Sequence, residues 1–444
     1  MTRPEYKAKH LRIMPEVKPR PPVPLSAVSE VFRIIEKEKE RQDKTVELIA
    51  SENFVSEQVL AALGSCLTNK YSEGYPAFRS DKLGNRGRYY GGCGFIDEIE
   101  EYCCEKWREV FQTDYHANVQ PHSGSQANMA AYLSVLRPGD KILAMSLSDG
   151  GHLTHGSPVN FSGRIFDFEF YGLDAFGRID YDDLARKIIS FKPKLVVAGA
   201  SAYPREIDFR RIFDTICSSA EEVNKTVPFL PWALTDGKEE MTRPYFMVDM
   251  AHVAGLIAAG EHQSPFGVAD IITTTTHKTL RGPRGGMIFC KPELSKRVDS
   301  AVFPCVQGGP LQHVIAAKAV AAEEALTQDY KDYIRAVKQN CAAMCDEFLR
   351  LGYEAITGGT DNHMFLLDFS RTHPWLTGKM VQEELDEYGI TLNKNCVPGE
   401  KRSPTETSGV RIGTAAMTTR GYTAEDFIAV ADRIDRIIRW IGGR

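Results

Sequence analysis

Four short apolar runs stand out in the middle of the chain, at residues 141–145, 194–198, 245–248 and 271–276. They show little alternation of polar and apolar positions, the pattern of strands covered on both faces. From about 94 to 290 they alternate with stretches of helical spacing such as 125–136, which predicts an α/β fold with a mainly parallel central sheet. Each run ends in a polar residue: Ser146, Ser201, Asp249 or His277. Open α/β sheets bind ligands at the carboxyl ends of their strands, so a site is expected there. After about 310 the pattern changes. Helical periods fit 314–326, 331–351, 377–388 and 424–441, with strands near 363–369 and 409–413, which predicts a smaller α+β domain. Residues 27–42 read as a helix with Val28, Val31, Phe32 and Ile35 on its apolar face. The expected organisation is an N-terminal arm and helix over 1–44, a large domain over 45–310 and a small C-terminal domain over 311–444.

Composition narrows the class. A chain of 444 residues with 43% hydrophobic residues and a net charge of −5 can bury an ample core, and its slight acidity argues against nucleic acid as the main partner. No apolar run reaches membrane-spanning length, and the N-terminus has no secretory apolar segment. The ten cysteines include no C-x-x-C pair. Cys341 and Cys345 fall on the apolar stripe Ile334, Val337, Met344, Phe348, and Cys103 on another with Ile96, Ile99 and Trp107, so they read as core thiols. A reducing, cytoplasmic setting is expected. Residues 1–25, with six prolines and six Lys/Arg, read as an extended arm lying on a partner subunit.

The candidate chemistry centres on 273–286. Thr273 to Thr276 carry the last apolar run into a loop with Lys278, followed by a glycine-rich turn with Arg281 and Arg284. A lysine amine beside fixed cations and apolar walls deprotonates more readily, and a neutral amine forms a Schiff base with an aldehyde. His122-Ser123-Gly124-Ser125 opens the predicted 125–136 helix, where exposed N–H groups and the helix dipole attract a phosphate. Asp249 ends a strand and can pair with a pyridine nitrogen, keeping the ring protonated as an electron sink, with His252 close behind. His152, in a glycine-rich loop, can stack on such a ring. His152 and His155 lack a third ligand at helical spacing, so no metal is expected. Arg411 lies in a short apolar strand and needs an anion, either a structural carboxylate or that of an amino-acid substrate. Tyr71, Glu73 and Tyr90 stand among flexible residues and offer acid–base groups. Singly, each has a plainer reading as a cap, a turn or a salt bridge. Together they supply the parts of a pyridoxal phosphate site.

With the motifs ELIASEN (47–53), NKYSEGYP (69–76), RYYGG (88–92), NVQPHSGSQAN (118–128), GGHLTHGSPVNFSG (150–163), VDMAHVAGL (248–256), TTTTHKTLRGPRGG (273–286), QGGP (307–310), GGTDNH (358–363) and SGVRIGT (408–414) in order, the chain closely resembles the serine hydroxymethyltransferase family. The resemblance implies the aspartate aminotransferase-like, fold-type-I architecture of pyridoxal phosphate enzymes and a homodimer, often paired into tetramers. It implies that Lys278 holds the cofactor aldehyde, Asp249 the pyridine nitrogen and His152 the ring face, with Ser201 and His252 on the phenolic side. Ser123, Gly124, Ser125 and His277 would hold the phosphate, helped by Gly308 and Gly309 of the other subunit. Arg411 with Ser51 would bind the substrate carboxylate, and Tyr71, Glu73 and Tyr90 would act in the site, the first two reaching the neighbouring subunit's cofactor. Leu147, Gly151, Leu153, Glu73 and Asn395 match the folate pocket. The implied reaction moves the one-carbon unit of serine to tetrahydrofolate, leaving glycine, with Glu73 in its acid form carrying the proton.

Two departures are visible: Ala415 stands where the family usually has proline, and Cys305 where it has glycine. The stretches 77–87 and 221–244 look longer than usual. The first carries Arg79, Lys82 and Arg86 and is expected to line the folate entrance. The nearest rival, a folate-independent threonine aldolase, needs Lys278, Asp249 and Arg411 but not Glu73 and Asn395. A non-catalytic or RNA-binding relative would have lost the reacting residues.

Overall fold

The computed structural model describes residues 29–76, 87–226 and 242–442. The proline-rich arm, nearly all of the loop with Arg79, Lys82 and Arg86, and the middle of 221–244 lie outside the described residues. In chain order the strands are β1 (Val46–Glu47), β2 (His116–Asn118), β3 (Lys141–Met145), β4 (Asp167–Tyr171), β5 (Leu195–Ala198), β6 (Tyr245–Asp249), β7 (Ile271–Thr275), β8 (Gly286–Cys290), β9 (Glu354–Ala355), β10 (Met364–Asp368), β11 (Ile390–Thr391), β12 (Asn393–Asn395) and β13 (Gly409–Gly413).

Seven strands form the large sheet in the order β2-β8-β7-β6-β5-β3-β4. Those from β4 to β7 are parallel neighbours, while β8 runs antiparallel to β7 and β2. Strand geometry sends successive side chains to opposite faces, and here both faces are covered. Leu143, Val196, Phe246 and Val248 enter one core; Ile142, Leu195, Val197 and Met247 enter the other, against the helix Gly124–Val135. That explains why these runs are apolar throughout. Three strands escape the sequence pattern. β8 follows a glycine-rich turn and merges with it, β4 is a half-covered edge with charged Asp167 and Glu169, and β2 has three residues.

A four-stranded antiparallel sheet, β12-β13-β10-β9, carries the C-terminal part. Its core takes Phe365, Leu367, Val410 and Ile412, and also Leu48 from near the start of the chain. The helix Gln328–Arg350 serves both cores: Ile334 and Val337 pack with the large sheet, Cys341, Met344, Cys345 and Phe348 with the small one. All ten cysteines are free thiols, and Cys103, Cys341 and Cys345 are buried. The helix Phe209–Thr226 absorbs the first residues of the 221–244 excursion because Val223 continues its buried face. The helix Ser29–Lys44 buries no residue and belongs to a separate unit that ends at Thr45. Among the described residues no helix is long and apolar enough to cross a membrane.

Candidate active site

Lys278 sits in the hairpin between β7 and β8. The loop closes on itself through Thr276 N–H to the Gly285 carbonyl (3.2 Å) and Gly282 N–H to the Thr276 carbonyl (2.7 Å). Asn53 donates to the Lys278 carbonyl at 2.9 Å and Thr279 Oγ1 to the His252 carbonyl at 3.0 Å, so separate segments clamp the backbone on both sides. The side chain is only 9% exposed. Burial, with Arg411 and Arg284 nearby, outweighs the pull of Asp249 and brings the amine down to about 8.

The amine opens on a cavity of about 290 Å³ at the carboxyl ends of β6 and β7. Ser51, Ser123, Gly124, Ser125, His152 and Ser201 line it, with Asp249, His252, His277 and Arg411. Asp249 is held in place from three sides. Its Oδ2 accepts from Asn128 Nδ2 at 2.9 Å and faces His155 Nε2 at 3.3 Å, and its Oδ1 accepts from Ala251 N–H at 3.1 Å. Burial alone would raise this carboxyl. The His155 hydrogen bond, the nearby imidazoles and the Asn128 amide prevail and hold it well below the usual carboxylate range. Asn128 is itself locked, donating also to Thr154 Oγ1 (2.8 Å) and accepting from Thr273 Oγ1 (2.6 Å). His152 Nδ1 lies 2.7 Å from Thr154 Oγ1 and 3.2 Å from Thr154 N–H, which holds the ring's orientation, and burial pushes that imidazole down to about 4.

At the opposite end, Ser123 caps the helix Gly124–Val135 by accepting from Gln126 N–H. A Cβ on Gly124 would stand 2.6 Å from Thr275 Cγ2, so glycine lets the start of this helix pack closely against β7. Thr275 Oγ1 and His277 Nδ1 are buried without partners. Buried polar atoms of that kind call for a ligand's polar groups. Beneath them the Lys318 ammonium donates to the carbonyls of Val119 (2.7 Å), Pro121 (3.1 Å) and Gly286 (2.8 Å), tying β8 to the segment leading into the cap. Arg411 comes from β13. Its Nε donates to Asn393 Oδ1 at 3.1 Å and its Nη1 to the Ser201 carbonyl at 2.6 Å. Among the described residues it has no carboxylate partner, and burial lowers it to about 10. An amine poised to lose its proton, an ionised carboxylate across from it, a flat neutral imidazole and a cradle of unpaired groups fit a phosphorylated pyridine aldehyde.

Tyr71, Glu73 and Tyr90 lie elsewhere. The Tyr71 hydroxyl donates to Glu73 Oε1 at 3.3 Å, and the Tyr71 and Tyr90 rings meet edge to face at 5.1 Å. Gly308 and Gly309 complete this group: a Cβ on either would come within 3.0 Å of Glu73 Oε1 or 3.2 Å of the Tyr71 ring. These five residues form a second cluster that does not line the Lys278 cavity of the same chain. Under it, buried Arg88 binds Asp97 (2.8 Å), Glu100 (2.7 Å) and the carbonyls of Ser72 and Gly74. Of the expected folate residues, Leu147 and Leu153 are exposed, Gly151 packs against the Met145 carbonyl, and Asn395 donates to the Cys396 carbonyl. None of them lines the cavity.

A larger cleft of about 710 Å³ runs past Tyr181, Arg211 and Asp361, and several of its charged groups are engaged. Arg205 pairs with Asp361 at 2.8 Å, Asp180 caps the helix Tyr181–Phe191, and Arg211 lies 3.8 Å over the Tyr181 ring. The perturbed groups converge instead on the smaller cavity. Asn128, Lys318 and Asn393 were not singled out in the sequence, and His155 was weighed only as a metal ligand. Lys318 alone carried a local sign, a single lysine inside the alanine-rich helix Gln312–Ala325.

The sequence model of the family described as serine hydroxymethyltransferase matches residues 26–223 and 237–434. A match of that extent does not favour the aldolase. Laid over the cavity and the sheet that builds it, it settles the matter: the chain belongs to the serine hydroxymethyltransferase family, a pyridoxal phosphate-dependent transferase that interconverts serine and glycine and passes the one-carbon unit to tetrahydrofolate.

Proposed function

We propose that this reaction is run by the groups around Lys278 in one subunit together with the Tyr71–Glu73–Tyr90 cluster of a second. Arg411 is the observation that carries the reading. It is a buried guanidinium with no carboxylate partner among the described residues, opening on the same cavity as an amine that sheds its proton near pH 8. An uncompensated buried cation is costly unless an anion arrives, and a substrate carboxylate supplies one in bidentate geometry. Ser51 lines the same cavity and would complete that contact.

Pyridoxal phosphate, bound to Lys278, supplies the electron sink for bond breaking at the amino acid's Cα. Asp249 keeps the ring nitrogen protonated and His152 covers the ring face. Ser201 and His252 flank the phenolic oxygen. Ser123, Gly124, Ser125 and His277 hold the phosphate, with Gly308 and Gly309 of the second subunit closing over it. Glu73 moves a proton between the substrate hydroxyl and the folate, aided by Tyr71 and Tyr90. Leu147, Gly151, Leu153 and Asn395 receive the folate. The protein works as a homodimer or a pair of dimers. Ten free thiols fit a reducing, cytoplasmic compartment.

Serine cleavage measured with and without tetrahydrofolate tests this reading. Strong dependence on the folate is expected. Equal rates would leave a lysine-centred aldolase and overturn the folate assignments.

A further inference from the structure

His252 turns one edge to the cavity and the other to a residue outside it. Its Nδ1 lies 3.2 Å from His363 Nε2, and the two rings are inclined by only 24°. Both imidazoles are buried, at 3% and 0% exposure. His363 cannot swing away. Its carbonyl accepts from Thr414 N–H, and its neighbour Asn362 donates to the Tyr203 carbonyl while accepting from Met364 N–H. The contact also crosses between sheets, since His252 follows β6 and His363 leads into β10.

Lys278 and Arg411 face both rings, with His152 near the first and His262 near the second. Burial, then these cations, keep both imidazoles neutral; His363 is pushed down to about 3. Two neutral imidazoles in contact share one proton, so one ring donates and the other accepts. His363 Nδ1 decides which. It is buried without a hydrogen bond of normal length, and the backbone group acting on this ring is the Ala50 carbonyl. Beside a carbonyl oxygen an N–H is favoured over a bare lone pair. The His363 proton therefore sits on Nδ1 and leaves its Nε2 as an acceptor.

We infer that His363 is a positioning residue: its Nε2 accepts the Nδ1 proton of His252, so that His252 presents a bare Nε2 lone pair to the active-site cavity. His252 then accepts a proton from whatever lies beside it and has none of its own to give. The use of that lone pair rests on the placement of His252 beside the cofactor's phenolic oxygen proposed above; the proton positions themselves do not.

Neutron diffraction from the perdeuterated holoenzyme near pH 7.5 reads this directly. Deuterons are expected on His252 Nδ1 and His363 Nδ1, with none on His252 Nε2. A deuteron on His252 Nε2 would overturn the inference while leaving the reaction intact; loss of folate dependence would do the reverse. Two variants add an independent reading. His363→Gln places an amide oxygen near the lost Nε2 and should keep the bound cofactor's absorption maximum and its pH profile, with kcat within about twofold. His363→Leu should shift that maximum and lower kcat on the order of tenfold. Equal spectra and equal rates in the two variants would count against a positioning role.

Discussion

The two clusters are built in opposite ways. Around Lys278 the ionised and ring groups are held from inside the chain: Asp249 is bound by Asn128 and His155, His152 by Thr154, and Arg411 by Asn393 and the Ser201 carbonyl. Burial then does the tuning, because it shifts the lysine, the imidazoles and the guanidinium toward their neutral forms. The Tyr71 cluster has an equally firm base, in which Gln120 and Gln312 join Arg88 on the buried Glu100 carboxylate. Its phenols nevertheless point outward, with Tyr71 at 55% and Tyr90 at 41% exposure. Phenols and a carboxylate in water trade partners with solvent. They gain direction only when something covers them. One region is thus a tuned site, and the other is a rigid platform that needs a cover.

Removing the lysine makes the largest break. Lys278→Ala should lower turnover by more than about 10⁴-fold and abolish the cofactor absorbance that borohydride bleaches, while leaving the platform intact. Retained covalent attachment would refute the central assignment. A sharper comparison mixes two dead proteins. Refolding Lys278→Ala together with Glu73→Gln gives mixed dimers in which one cavity has a good lysine and borrows a good Glu73. Random pairing makes half the dimers mixed, each with one of two sites whole, so activity should return to about a quarter of wild type. No recovery would place Glu73 in its own chain's site. Next in size, Arg411→Ala should raise KM for serine by about 10²-fold, since truncating a buried charged partner costs ~3 kcal/mol. The test must exclude simple unfolding, and a thermal melt of the apoprotein near the wild-type midpoint would do so.

The sheet and the lysine were legible for the same reason: covered strands leave apolar runs, and their polar ends mark the site. Gln312–Ala325 and Gln328–Arg350 begin within a few residues of the expected 314 and 331, because their buried stripes are long. The supporting shell was not legible. Asn128 meets Asp249 across 121 positions of sequence and His155 meets it across 94, and no local period records such pairs. Lys318 stands out only as a lone lysine among alanines, and its partners Val119, Pro121 and Gly286 come from distant segments. Tyr71 and Glu73 were recognisable as reactive types from their motif. Their distance from the same chain's cavity follows from where the platform packs, which residue identity alone does not state.

The smallest effect probes the tuning itself. If Lys278 titrates near 8, capture of pyridoxal phosphate by the apoprotein should follow the fraction of neutral amine. That fraction rises with pH, by about tenfold between pH 7 and 9, and then levels off; an ordinary lysine near 10.5 would keep gaining well beyond pH 9. Stopped-flow absorbance across this range measures it. The signs of two substitutions follow from the same neighbours. Asp249→Asn removes the attraction that holds the proton on, so the midpoint should fall. Arg411→Leu removes a repelling cation, so the midpoint should rise. Glu73→Gln, on the platform, should leave the curve where it was. A midpoint that moved with Glu73 and not with Asp249 would mean that the lysine's environment is set from outside its own cavity, and the contrast between the two clusters would fail.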